Sequence, residues 1–226
     1  MSRIAEIRQN ILKKNDLLAA ELRSRFAASG VTVVNLVSSP GAGKTSMLES
    51  TLRQLQPRYS VAALVGDLST DCDARRLSRA ASKVQQITTG TVCHLDAEMI
   101  AAAISGWQLD TIDFLFIENV GNLVCPASYD VGETVRAVLL SVTEGEDKPL
   151  KYPTIFNSAD LAILTKLDLA AVVGFQREEA LANIREVAPQ LRVCEVSAKS
   201  GEGMDAWMTY LQSVRTATAL DRSPAI

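Results

Sequence analysis

Histidine and cysteine are scarce in this chain: His94 is the sole histidine, and Cys72, Cys93, Cys125 and Cys194 are the four cysteines among 226 residues. No run of about 18 apolar residues occurs, which argues against a membrane-spanning helix. The segment Met1 to Arg8 mixes both charge signs and lacks the apolar core of a signal peptide. A soluble, cytoplasmic protein is therefore expected. Thiols stay reduced in that compartment, so the cysteines read as buried, reactive or metal-binding rather than disulfide-bonded. A charge excess is missing too. With 23 basic against 26 acidic residues the net charge is −3, no footprint for nucleic acid or anionic lipid. Neither nucleic acid nor membrane insertion is expected. Repeats, low-complexity tracts and long linkers are also absent, and 226 residues at 47% hydrophobic can bury one substantial core.

What is present begins with Ser38-Ser39-Pro40-Gly41-Ala42-Gly43-Lys44-Thr45. It follows the apolar run Val31 to Val37 and precedes the helical stretch 47–56, so a glycine-containing phosphate loop joins strand to helix. Backbone N–H groups of such a loop converge on phosphate oxygens, Lys44 adds a mobile positive charge, and the Thr45 hydroxyl can ligate Mg²⁺. The expected phosphate contacts are Gly41, Ala42, Gly43, Lys44, Thr45 and Ser46. Ser38 replaces the opening glycine of the usual pattern, which is harmless if φ there is negative.

Further apolar runs at Val61–Val65, Phe114–Ile117, Val138–Val142, Leu161–Leu164 and Val193–Val196 alternate with helical stretches near 47–56, 73–84, 95–105, 174–187 and 203–215. Strands that scarcely alternate, bounded by helices, predict an α/β fold: a P-loop NTPase with a mostly parallel sheet and helices on both faces. Ile4, Ile7, Ile11, Leu18, Leu22 and Phe26 mark an amphipathic helix that packs either on the sheet edge or on a partner. The division expected is residues 1–29 as this helix, 30–217 as the nucleotide domain with an embedded metal site, and 218–226 as a tail.

Ligands of such sheets sit at the carboxyl ends of strands. Asp67 and Glu118 end two of them, placed to hold Mg²⁺ directly or through water, and Gly121 leaves its backbone N–H free to approach a γ-phosphate. Lys44, Asp67 and Glu118 are thus the expected catalytic group, with Thr45 and Asp67 as Mg²⁺ ligands. Thr165-Lys166-Leu167-Asp168 closes another strand, and Ser197-Ala198-Lys199 follows the last. The Asp168 carboxylate can accept the two N–H groups that guanine presents and adenine lacks, while the Lys166 stem covers the base. GTP is favoured over ATP.

Cys93 and His94 are adjacent, and Cys125 lies four residues after Gly121. Thiolates and imidazole suit Ni²⁺ or Zn²⁺ rather than Mg²⁺, although a Cys-His pair is also a common incidental neighbour. A helix beginning near His94 is expected to lower the Cys93 pKa. The segment Glu118 to Cys125 runs from the γ-phosphate region to a thiol, so a loop moving on hydrolysis would couple GTP state to metal affinity.

Taken together, these phrases resemble the HypB family of nickel-incorporation GTPases. The matching residues are 38–45, Thr89-Gly90 leading into Cys93-His94-Leu95-Asp96-Ala97, Glu118-Asn119-Val120-Gly121-Asn122-Leu123-Val124-Cys125-Pro126, Ser141 to Gly145, Asp147 to Pro153, and 165–168. The resemblance implies the signal-recognition and Min-type branch of phosphate-loop GTPases and a nucleotide-dependent homodimer with Cys93, His94 and Cys125 holding nickel or zinc near its interface. It also implies delivery, with a HypA-type partner, to the large subunit of a [NiFe]-hydrogenase. The cysteine-rich N-terminal motif and histidine-rich tract of some members are missing, and Thr88 and Thr165 replace expected asparagines. A small-molecule kinase, a GTPase switch with a structural zinc, and a urease-type nickel GTPase are the alternatives.

Overall fold

The computed structural model of the chain describes residues 3–220. Its seven strands are β1 (Thr32–Ser38), β2 (Val61–Asp67), β3 (Lys83–Thr88), β4 (Phe114–Glu118), β5 (Val135–Ser141), β6 (Leu161–Thr165) and β7 (Arg192–Glu195). They form one parallel sheet in the order β3-β2-β4-β1-β5-β6-β7. The helices are α1 (Arg3–Ser29), α2 (Lys44–Leu55), α3 (Cys72–Leu77), α4 (Ala97–Ala103), α5 (Lys148–Lys151), α6 (Pro153–Asn157), α7 (Ala170–Val173), α8 (Arg177–Val187) and α9 (Met204–Leu220). This is the α/β architecture that the apolar runs predict.

Successive residues of β4 explain why those runs scarcely alternate. Phe114 and Phe116 join the core beneath α2 and α9, with Leu48, Leu52 and Trp207. Leu115 and Ile117 join the opposite core, with Leu22 and Phe26 of α1 and Ile100 of α4. A strand buried on both faces has no polar side to show. The Trp207 indole N–H donates to Thr51 Oγ1 at 2.9 Å, so this large side chain is buried without stranding a donor.

The structure corrects several boundaries. The helix expected over 73–84 stops at Leu77, and Lys83–Thr88 is instead edge strand β3, paired to β2 from Ala62↔Lys83 to Asp67↔Thr88. Its half-exposed position admits Gln85 and Gln86, which hide the strand signal carried by Val84, Ile87 and Thr88. Strand β5 begins at Val135 rather than Val138. Buried Arg136 masks that start, tolerated there because its guanidinium pairs with Glu133 at 2.7 Å. Helix α1 lies across a sheet face rather than at its edge: Ala19, Leu22 and Phe26 are buried, while Ile7, Ile11 and Leu17 stay exposed. Helix α9 continues to Leu220, past the boundary expected at 217, because no glycine or proline interrupts 204–220. The rest of the expected tail, 221–226, lies outside the described residues. Among the described residues no helix is long and apolar enough to cross a membrane.

Candidate functional site

The carboxyl ends of β1, β2 and β4 open onto a cleft of about 550 Å³ lined by the 40–46 loop, Asp67, Arg76, Glu118 and Gly121. Strand order brings these residues together, since β4 sits between β2 and β1. Gly41 and Gly43 take φ of +76° and +95°, backbone that side chains rarely adopt, and Gly43 leads into the 12-residue helix α2. Ser38 is not left-handed, because Lys166 is the one non-glycine residue with positive φ among those described. The serine therefore costs no strain, and its hydroxyl accepts from Lys44 Nζ at 2.9 Å. Burial pulls the Lys44 pKa down, while Glu118, Asp73 and Glu144 favour its charged form.

Gly121 is needed for another reason. A Cβ there would lie 2.9 Å from the Pro40 Cα, so the segment after β4 rests directly on the phosphate loop. That contact demands a residue without a side chain.

Glu118 is 4% exposed and accepts the Thr45 hydroxyl at 2.6 Å through Oε1, whereas Oε2 is buried with no partner. Burial pushes its carboxyl up to about 7, against the pull of Thr45 and Lys44. A carboxylate oxygen orphaned beside a threonine hydroxyl is the donor set a hard divalent cation such as Mg²⁺ takes. Asp67 shares the cleft, but its Oδ1 accepts the Ser69 and Thr70 N–H groups at 2.9 and 2.7 Å and the Thr70 hydroxyl at 3.2 Å. Partial burial raises the Asp67 pKa, and those donors more than offset it, leaving the carboxyl below its usual value.

Because folding raises the Glu118 pKa, the folded state prefers the neutral carboxyl. Its contribution is present in full below the unfolded value of 4.5 and is lost as pH rises through about 7. The difference corresponds to about 3 kcal/mol. Glu118→Gln should therefore stabilise the metal-free protein by roughly 1–3 kcal/mol at pH 8 and little at pH 5. Urea unfolding with a chelator at both pH values checks this; an equal effect at the two would mean that Oε2 carries no uncompensated charge.

Beyond Gly43 and Ser46 a second cavity of about 190 Å³ is lined by Met47, Thr165, Lys166, Asp168, Ala198 and Lys199. Lys166, at φ +61°, donates from Nζ to the Gly41 carbonyl at 2.7 Å, and Thr165 Oγ1 donates to the Ala42 carbonyl at 2.6 Å. The threonine that replaces asparagine thus braces the phosphate loop. Ser197 Oγ donates to Asp168 Oδ1 at 2.6 Å, and Lys199 Nζ lies 4.0 Å from Oδ2. The aspartate is oriented on one oxygen.

Cys93, His94 and Cys125 converge, with one donor atom from each within 4.8 Å of the others. The two sulfurs are 3.0 Å apart. The His94 ring is tilted 31° against the Tyr129 ring with centroids 3.8 Å apart, and its Nδ1 is buried without a partner. Two thiols and an imidazole with an unused buried nitrogen fit a borderline-soft divalent metal. Burial lowers the His94 pKa, which favours the neutral, ligating ring. The expectation for Cys93 is overturned: its hydrogen bond with the Cys125 thiol pushes its pKa up. Helix α4 begins only at Ala97, and Asp96 already caps it by accepting the Met99 N–H at 2.8 Å. Cys72 is exposed and Cys194 buried, both outside this cluster.

Several residues here carried no usable signal in the sequence. Arg76 lines the phosphate cleft from α3, bonded to Glu49 Oε2 at 2.6 Å and Ser46 Oγ at 3.2 Å, yet in Ala-Arg-Arg-Leu it reads as a solvated helix position. Tyr129 packs on His94 from 35 residues downstream, across a loop of no regular period.

Residues 32–195 match the family model described as CobW/HypB/UreG, nucleotide-binding domain. The chain is 50% identical over 216 residues to hydrogenase maturation factor HypB of Azotobacter vinelandii, covering 95% of this chain and 71% of that protein. To HypB of Escherichia coli strain K12 it is 49% identical over 215 residues, covering 95% and 74%. Among solved structures, HypB from Helicobacter pylori in complex with nickel superposes with a TM-score of 0.85 at 40% identity, over 90% of this chain and 96% of that one. The signal recognition particle receptor FtsY from Elizabethkingia anophelis in complex with GDP, at 14% identity and a TM-score of 0.53, covering 84% and 70%, shares the fold.

Proposed function

The chain belongs to the HypB family, and from that premise we propose that it is a GTP-hydrolysing nickel metallochaperone of [NiFe]-hydrogenase maturation. The observation that carries this reading is the loop 118–125, which starts at the orphaned Glu118 carboxylate and ends at Cys125 beside Cys93 and His94.

In this reading the loop 41–46 and the N-terminus of α2 bind the phosphates, and Asp168 reads guanine with Lys166 over the base. Lys44 leaves Ser38 and follows the charge that develops on the transferred phosphoryl group as water attacks in line. Thr45 and Glu118 would hold Mg²⁺, with Asp67 contributing through water, and the ion would supply positive charge against the developing negative charge of the phosphates. Gly121 presents its N–H toward the γ-phosphate, so the segment ahead of Cys125 differs in position between GTP and GDP. Cys93, His94 and Cys125 take nickel, with zinc as competitor, and a second copy of the chain or water completes the coordination. An open or shared site of this kind gives up its metal to a HypA-type partner or to the hydrogenase large subunit in the cytoplasm.

The deciding experiment titrates nickel, with a competing chelator, into protein saturated with GDP or with a non-hydrolysable GTP analogue, while following oligomeric mass. Nickel affinities differing by about 5-fold or more between the two states are expected, the range of ordinary allosteric coupling. GTP should be hydrolysed in preference to ATP. Equal nickel affinity in both states would remove the coupling, and absence of nickel binding would reduce the protein to a GTPase.

A further inference from the structure

Asn119 is 1% exposed, and both ends of its side-chain amide are hydrogen-bonded. Its backbone N–H donates to the Leu36 carbonyl at 3.0 Å. Its side-chain oxygen accepts the Leu95 N–H at 3.1 Å and the Val120 N–H at 2.9 Å, and its amide nitrogen donates to Asn35 Oδ1 at 3.3 Å. Asn119 follows Glu118, and Leu95 follows His94. One side chain thus bridges the corner that faces the phosphates and the peptide that carries the histidine of the metal cluster.

The contacts around this bridge are tight. Leu95 is fully buried and packs on Gly66 at the end of β2, where an added Cβ would lie 2.8 Å from Leu95 Cγ. Gly66 and Asn119 both border the phosphate cleft. The segment 93–95 therefore cannot follow one wall of the cleft without feeling the other. Asn122 adds a second strap, donating from Nδ2 to the Cys93 carbonyl at 3.2 Å.

The same asparagine also reaches the far face of His94. Asn35 donates to Glu133 Oε1 at 3.1 Å, Glu133 accepts from Arg136 Nε at 2.7 Å, and Arg136 donates to the Tyr129 carbonyl at 2.9 Å. The Tyr129 ring then stacks on His94. The hydrogen-bonded part of this path resists displacement because breaking one of its links strands a donor or acceptor.

We propose that Asn119 is the positioning residue that couples the two sites, passing a shift of the Glu118–Gly121 corner to His94 through its hydrogen bond with the Leu95 N–H. This rests on the reading of Cys93, His94 and Cys125 as the nickel site. Bound nucleotide sets where the corner sits on the phosphate loop; Asn119 carries that position to the backbone beside the imidazole, and the ligand geometry follows. An apolar residue at 119 would fill the space but leave the Leu95 N–H unpaired and the corner free to move alone.

The test compares parent protein with Asn119→Ala, titrating nickel with a competing chelator at saturating GDP and at a saturating non-hydrolysable GTP analogue, nucleotide occupancy being verified for each. The ratio of nickel affinities between the states should fall from its parent value to within about 2-fold of one. A merely structural role would lower thermal stability and leave that ratio intact, and an unchanged ratio in folded Asn119→Ala overturns the inference while sparing the coupling. Equal affinities in the parent would overturn the coupling and the inference together. A second measurement uses parent protein alone, so it survives a variant that fails to fold. The ¹⁵N amide signal of Leu95 should differ in shift and exchange protection between the two nucleotide states. An invariant Leu95 amide, alongside a nucleotide-dependent nickel affinity, would sink the role of Asn119.

Discussion

Replacing Lys44 with alanine is expected to lower kcat/KM for GTP hydrolysis by about 10²–10³-fold, the cost of deleting one preorganised charge-stabilising donor. The side chain is 8% exposed and lies at the start of α2, where the helix dipole and loop amides already favour an anion. Its ammonium is parked 2.9 Å from the Ser38 hydroxyl, a neutral partner that it can leave at small cost. The charge is thus available to the phosphates without first breaking a salt bridge. Lys44→Arg should rescue little, because the planar guanidinium does not fit a space shaped for a compact ammonium. Since the substitution also strips Glu118 of a favourable cation, a thermal melt of the variant must accompany the kinetics to separate lost catalysis from lost folding. A folded Lys44→Ala protein retaining more than a tenth of parent kcat/KM would show that phosphate charge is neutralised elsewhere, and Arg76 would be the first residue to test.

The phosphate loop was legible in the sequence because its glycines answer to backbone geometry rather than to distant partners: Gly41 and Gly43 do adopt positive φ. Strands buried on both faces were legible for a related reason, since an unbroken apolar run has no other economical use in an α/β chain. Edge strand β3 was hidden because its side chains are only half-buried and need not be apolar. The start of β5 was hidden because Arg136 finds its partner, Glu133, by tertiary packing. For the Cys93, His94 and Cys125 cluster, adjacency of the first two suggested the chemistry. The approach of Cys125 follows from the placement of β4 beside β2, and no local periodicity encodes that order. The Cys93 pKa went the other way from expectation for the same reason: the dominant influence is a thiol 32 residues distant in sequence, while the helix that was to lower it starts later and is capped by its own aspartate. Asn119 meets Leu95 and Asn35, and Tyr129 meets His94, across long stretches of sequence, so residue type alone could not single them out.

Cys93→Ala, His94→Ala and Cys125→Ala should each weaken nickel binding by more than about 100-fold, because removing only a partner of a metal ligand already costs 10–100-fold. The three donors are drawn from two segments that meet only in the folded chain, and each truncation leaves two, too few to displace water from a borderline-soft cation. The two sulfurs are hydrogen-bonded at 3.0 Å, and that contact pushes the Cys93 pKa up. A divalent cation removes that obstacle by expelling protons as it binds. Nickel affinity should accordingly rise with pH across the whole range from 6 to about 9, the half-buried His94 contributing only at its acid end, because its pKa is already lowered. Cys72→Ala is the control, since that thiol is exposed and outside the cluster, and it should bind nickel as the parent does. Chelator competition at pH 6, 7.5 and 9 for the four variants supplies the measurement. Affinities within 3-fold of the parent in all of the three site variants would place the nickel elsewhere in the chain, whereas losses in the cysteine variants with no loss in His94→Ala would leave the thiols as ligands and make the imidazole a neighbour that Tyr129 holds for packing alone.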